Sequence, residues 1–153
     1  MKKNLKIKEA LYACCLNYLD CRFQSVQNTI EDIQEALLSE TKSSAGDKHE
    51  TGRAMLQLER EKAGHQLSEI NKIKMHFSKI NVTKSSSVVG LGSVVYTSNA
   101  HYFISISAGE FYVNDLAFYA ISPHTPIGCL LMGKTIGDII EFRTQKFIIE
   151  DVF

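Results

Sequence analysis

Apolar residues recur at intervals of four and three through the first half of the chain, at Leu11, Cys15, Tyr18, Val26, Ile30, Ile33 and Leu37, with one polar interruption at Arg22. That spacing predicts an amphipathic helix of about ten turns. The pattern lapses over the small and polar residues Ser39 to Gly46, which read as a helix stop and a turn. It resumes at Leu56, Ala63, Leu67, Ile70, Ile73, Phe77 and Ile80, and no proline interrupts residues 1–80. Two long helices joined by a short connection predict an antiparallel coiled-coil hairpin over residues 1–80. An arm of about 35 residues makes a rod of about 50 Å, longer than the remaining chain can wrap, so its tip near residues 44–53 is expected to project. The nearly all-polar run Gln57-Leu58-Glu59-Arg60-Glu61-Lys62 implies a thin, solvated seam toward that tip.

The polar, serine-rich stretch 81–87 reads as a linker, and beyond it the periodicity changes. Val88-Val89, Val94 to Thr97 and Tyr102 to Ile106 are β-branched and aromatic runs punctuated by Gly90, Gly92, Ser98-Asn99 and Ala108-Gly109. Leu116 to Ile121 predicts another strand, and Ile139 to Phe142 with Phe147 to Ile149 predict a hairpin around Arg143-Thr144-Gln145-Lys146. Between them Pro126 to Met132 predicts a short helix, capped by Thr125, with proline at its first position and Gly133 at its end. Residues 88–153 therefore form a small sheet-rich domain with one short helix, and the fold class is α+β.

A length of 153 residues allows one compact domain or a small domain plus an extended element. With 17 basic and 17 acidic residues, there is no global basic field to hold nucleic acid, and sequence-specific DNA binding is not expected. No apolar run is long enough for a membrane span, and Met1 to Glu9 lacks the features of a secretory signal, so a cytoplasmic protein without a membrane partner is expected. Lys2, Lys3, Lys6 and Lys8 read as a solvated terminus rather than a nucleic-acid contact. Cys14, Cys15, Cys21 and Cys129 fit neither a disulfide framework nor a paired zinc site, and read as small, reduced apolar residues. Cys129 with His101 or His124 would be a thiol nucleophile and base, a reading that the apolar Gly128-Cys129-Leu130-Leu131 context opposes.

The chemistry concentrates at the expected tip, Ser44-Ala45-Gly46-Asp47-Lys48-His49-Glu50-Thr51-Gly52-Arg53. Asp47 and Glu50, three apart at a helix entry, lie on one side and are able to share a hard divalent cation such as magnesium. The same Asp-x-x-Glu spacing is also a capping box, in which each side chain accepts from the other end's backbone. Arg53 and Lys48 beside the pair either touch RNA phosphates or balance local charge, and His49 is rotated away from both carboxylates on a helix.

At these residues the chain resembles the bacterial Gre transcript cleavage factors, the GreA/GreB transcription elongation family. Gly46-Asp47-Lys48-His49-Glu50 matches the start of that family's Gly-Asp-x-x-Glu-Asn-Ala tip. Thr125-Pro126-Ile127-Gly128-Cys129-Leu130-Leu131-Met132-Gly133-Lys134, followed by Gly137-Asp138, is similar to its Ser-Pro-Ile-x-x-x-Leu-x-Gly-Lys segment and the turn after it. The resemblance implies a coiled coil followed by an FKBP-like domain, with RNA polymerase as partner. The globular domain would dock at the rim of the secondary channel, making Thr125, Pro126 and Ile127 candidate partner contacts together with Arg53. Asp47 and Glu50 would reach the catalytic centre, near the 3′ end of the nascent RNA. There they would help hold a second Mg2+ that the polymerase supplies and orient water for cleavage of backtracked RNA. The chain would be an accessory factor rather than an enzyme.

The departures from that pattern are local. Asn-Ala and a following aromatic are replaced by Thr51, Gly52, Arg53 and Ala54, which removes the surroundings that position the carboxylates. A channel binder that modulates or inhibits polymerase without cleavage is therefore the nearest alternative, and a coiled-coil interaction module for another partner is a second. Prolyl isomerisation is suggested by fold analogy alone and would need an aromatic-lined pocket on the second domain.

Overall fold

A computed structural model describes Lys2–Lys42 and Asp47–Phe153, with the side chains of residues 41, 42 and 47–49 also outside the described set. The elements run α1 (Lys2–Lys42), α2 (Asp47–Phe77), β1 (Val94–Thr97), β2 (His101–Ile104), β3 (Gly109–Val113), β4 (Leu116–Ile121), α3 (Pro126–Leu131), β5 (Ile139–Phe142) and β6 (Gln145–Val152). This is the expected α+β order: long helices first, then a six-stranded sheet carrying one short helix. They pack as two compact units, Leu19–Met75 and the combination of Met1–Tyr18 with His76–Phe153.

In the Leu19–Met75 unit, α1 and α2 run antiparallel. Lys74 Nζ pairs with Asp20 Oδ1 at 2.8 Å and lies 4.6 Å from the centre of the Phe23 ring. Leu19, Ile33, Ala63 and Ile70 are buried along the seam, while Phe23, Val26, Ile30, Leu56, Leu67 and Ile73 are half-buried. The seam thus continues through Leu19 and Phe23, whereas Arg22 is exposed. Arg22, seven residues from Cys15 and so within about 20° of its face, stands beside Val26, Lys62 and His65 as a polar interruption at the flank of the seam. Across the polar run, Leu58 is exposed and Arg60 is half-buried, consistent with a thin seam there.

The other unit is built around the sheet, in the order β3-β4-β2-β1-β6-β5, with β2 and β4 parallel and every other pair antiparallel. One face carries Val95, Ile104, Phe147 and Ile149, packed with Leu131 of α3, Val89 and Ile140. Strand alternation sends Val94, Tyr96, His101, Phe103 and Phe118 to the opposite face. There Tyr96 makes edge contacts with His101 and Phe118 and a tilted contact with Phe153, at centroid distances of 4.6, 5.8 and 5.6 Å. The start of α1 meets this layer. Lys8 Nζ lies 6.0 Å from the centre of the Phe153 ring and donates to the Lys84 carbonyl at 2.7 Å, and Cys15 Sγ is 3.7 Å from Ser105 Oγ. Tyr12 stacks on Phe77 at 4.4 Å.

Both tight hairpins turn on residues with positive φ: Asn114-Asp115 at 52° and 64°, and Arg143-Thr144 at 49° and 69°. The first suits residues that tolerate the left-handed region, and the second does not.

Candidate functional site

α2 opens at Asp47, and Glu50 follows one turn later. Ser43 to Gly46 and the side chains of Asp47, Lys48 and His49 lie outside the described residues, and the choice between capping and cation sharing at Asp47 lies there with them. Glu50 is exposed and Arg53 is half-buried. Sequence reasoning did not single out Glu40 at this end of the hairpin. A Cβ placed on Gly52 would stand 3.5 Å from Glu40 Oε1 and 3.8 Å from its Cδ, so the carboxylate of α1 lies over the glycine of α2. The antiparallel pairing of Asp20 with Lys74 already puts residues near 40 opposite residues near 52, and that is the signal by which it was findable.

Glu50 and Asp47 supply at most two carboxylates of this helix entry. Among the described residues no group of three or more His, Cys, Asp or Glu side chains is placed to hold a metal ion. Two carboxylates alone fall short of the roughly six or more oxygen ligands that a hard cation such as calcium or magnesium takes.

The second motif is defined atom by atom. Thr125 sits in extended conformation at φ −68° and ψ 157° as the N-cap of α3, and Pro126 occupies the first helical position. Its Oγ1 accepts from the Gly128 N–H at 3.1 Å and donates to the Ser122 carbonyl at 2.8 Å. Gly128 is pressed against the preceding loop: a Cβ there would fall 2.3 Å from the Ser122 carbonyl oxygen and 2.8 Å from Thr125 Oγ1. The C-terminal end follows the expected pattern, with Met132 N–H bonded to the Gly128 carbonyl and Gly133 at φ +80°. Of the three candidate contacts, Pro126 is exposed, Thr125 is half-buried, and Ile127 is half-buried against the core cluster.

The chain is similar to two solved structures, at low identity and low TM-score. One is the GreA factor homolog 1 (Gfh1) protein of Thermus thermophilus, with 20% identity over 86% of this chain and 94% of that one, and a TM-score of 0.34. The other is described as the transcription factor Gfh1, with 18% identity over 85% and 90% and a TM-score of 0.31. No family model matches the chain, and no curated protein matches it.

None of the four cysteines forms a disulfide; Cys15 is buried, Cys14 is intermediate, and Cys21 and Cys129 are exposed. Burial is confined to Cys15, because positions 14 and 21 fall off the helix face that carries 15 and 19, and position 129 faces outward on α3. Burial pushes the Cys15 thiol up to about 11, against a smaller opposing effect of its Ser105 hydrogen bond. Cys129 Sγ contacts the Pro123 carbonyl at 3.4 Å. His101 instead lies among Tyr96 and Phe118, with its buried Nδ1 unpartnered and its pKa lowered by burial against the opposing pull of Glu150. No helix among the described residues is long and apolar enough to cross a membrane.

Proposed function

We propose that this protein is a transcription elongation factor that binds RNA polymerase through its secondary channel and stimulates cleavage of backtracked RNA. The observation that carries the reading is the address of the Asp-x-x-Glu pair: it opens the returning helix of an antiparallel pair, in a chain whose sheet domain bears the Thr-Pro-Ile helix start. A scaffold has no evident need for two carboxylates there. In this reading Asp47 and Glu50 offer oxygen donors toward a Mg2+ that the polymerase supplies, and hold water near the RNA phosphodiester. A bound magnesium ion supplies Lewis-acid polarisation of that group. Pro126 and the exposed face of its turn meet the polymerase, with Ile127 anchoring that turn to the core.

A second reading, channel occupancy without cleavage, is favoured by one observation. Gly52 receives the Glu40 carboxylate where the family pattern places Asn-Ala and an aromatic, so the carboxylate pair has different neighbours. Positioning contributes much of such catalysis.

The experiment is transcript cleavage in halted, backtracked complexes of the cognate polymerase, comparing the parent with the Asp47→Ala, Glu50→Ala double variant at equal occupancy. Magnesium-dependent RNA shortening by the parent alone is the expected result. Channel binding without shortening gives the second reading. Absence of binding refutes both and leaves the interaction module.

A further inference from the structure

The sheet carries an aromatic and acidic hollow that the transcription reading does not use. Tyr102 of β2 and Tyr119 of β4 are register partners across the parallel pair, with ring centroids 6.2 Å apart. Tyr119 is in turn opposite Glu110 of β3, and Tyr112 lies two residues further along β3 on the same face. Tyr102, Tyr112 and Tyr119 line a depression of about 580 Å3 with Asp115 and Leu116, and Glu110 stands next to it, opposite Tyr119. Tyr112 is 70% exposed and Tyr119 39%, a large ring area left in water on a domain that buries its other aromatics well. β3 is also the terminal strand of the sheet, so its outer edge has no neighbour among the described strands.

The chemistry of the hollow is one-sided. Its lining includes Asp115 and no lysine or arginine. The phenols of Tyr112 and, second, Tyr119 beside Glu110 keep that carboxyl below its usual range and ionised. The same carboxylate holds both phenols above theirs, so the rings stay neutral and their faces electron-rich. A nucleobase would stack on the rings, but its phosphate would meet Glu110 and Asp115. A planar cation meets both demands: its face is attracted by the tyrosine quadrupoles and its N–H groups by the carboxylate.

We propose that the Tyr102, Tyr112, Tyr119 and Glu110 hollow is a binding site for an arginine side chain presented by a partner protein, stacked on the tyrosines and paired with Glu110. The open edge of β3 gives the partner's backbone room to lie alongside. The site does not depend on the hairpin tip or on RNA cleavage.

The test is a titration of the full chain, followed by the tyrosine ring resonances, with acetyl-Gly-Arg-Gly-amide. Two controls accompany it: the same peptide carrying citrulline, which keeps the shape and lacks the charge, and acetyl-Ala-Pro-Ala-amide. Saturable shifts at Tyr102, Tyr112 and Tyr119 with the arginine peptide alone are expected. Glu110→Gln, which keeps the shape and removes the charge, should weaken binding about fivefold, and Tyr112→Leu by a similar factor. Equal shifts with citrulline, shifts confined to other tyrosines, no shifts, or a response to the proline peptide alone would each overturn the assignment.

Discussion

Replacing Gly128 by alanine isolates the packing that seats α3. On helix propensity alone the change should stabilise, since alanine is better than glycine in a helix by about 1 kcal/mol. The structure predicts the opposite sign. The added methyl would lie 2.3 Å from the Ser122 carbonyl oxygen, 2.8 Å from Thr125 Oγ1 and 3.1 Å from Pro123 Cα. Two of these are backbone atoms, which cannot rotate aside as a long side chain can. Relieving the contact requires the loop or the helix to move by the better part of an ångström. That movement would also stretch the Thr125 cap, whose loss alone costs about 1 kcal/mol. Overpacking of this kind costs about 1–3 kcal/mol, so with the weakened cap included and the propensity gain subtracted a net loss of about 2 kcal/mol is expected. With a urea slope of about 2 kcal/mol per molar, the midpoint of the tyrosine near-ultraviolet signal should fall by about 1 M. An unchanged or raised midpoint would refute the steric argument, and would mean that the loop before α3 yields without cost.

Gly64→Ala is the matched control in α2: its Cβ would meet only the mobile Arg60 Nη1 at 3.6 Å, and it and Gly52→Ala should each stabilise by about 0.5–1 kcal/mol in thermal unfolding. Thr144→Gly should raise stability by a similar amount, because a β-branched residue is held at φ 69° and strain relief outweighs the added freedom of the unfolded chain. Cys15 should resist Ellman's reagent in the folded protein at pH 8 while exposed Cys21 and Cys129 react. Its folded pKa, about 11, lies above the ordinary thiol value of 9.0, so its contribution is intact below pH 9 and is lost as pH rises through 11, on the order of 2 kcal/mol. Burial lowers the pKa of Lys8, which works in the opposite direction as pH rises, so the Cys15 share is read as the difference between the parent and Cys15→Ala denaturation curves.

What was legible in the sequence was whatever is written locally. Thr125-Pro126 and Gly133 marked α3 to within a residue at its C-terminal end, because a cap, a fixed proline φ and a left-handed glycine act without help from distant residues. Two features were less legible. The helical face drifts with the 3.6-residue period, so a run of fours and threes is fitted equally by Tyr18-Arg22 and by Leu19-Phe23 until a partner helix chooses. β3 was overlooked behind Ala108-Gly109: as an edge strand it leaves Glu110 and Tyr112 exposed and half-buries Phe111 and Val113, and its clearest mark was the Asn114-Asp115 turn. With β3 went the tyrosine hollow, which exists only where β2, β3 and β4 come into register. At the hairpin end, Asp47 and Glu50 were named from a motif, whereas Glu40 over Gly52 is a product of interhelical register.

The sheet unit is discontinuous in the chain, joining Met1–Tyr18 to His76–Phe153 across about 57 intervening residues. During synthesis the first segment leaves the ribosome long before the strands that will cover Leu11 and Cys15. Closing a flexible loop of that length would cost about 3–4 kcal/mol of chain entropy. The intervening residues, however, form a helical pair with short-range contacts, which folds quickly and ends with Asp20 against Lys74. Formed first, that pair brings Tyr18 and His76 together before any strand is paired, and turns a distant encounter into a local one. The helical pair would in this sense aid folding, by shortening the loop that the sheet unit must close.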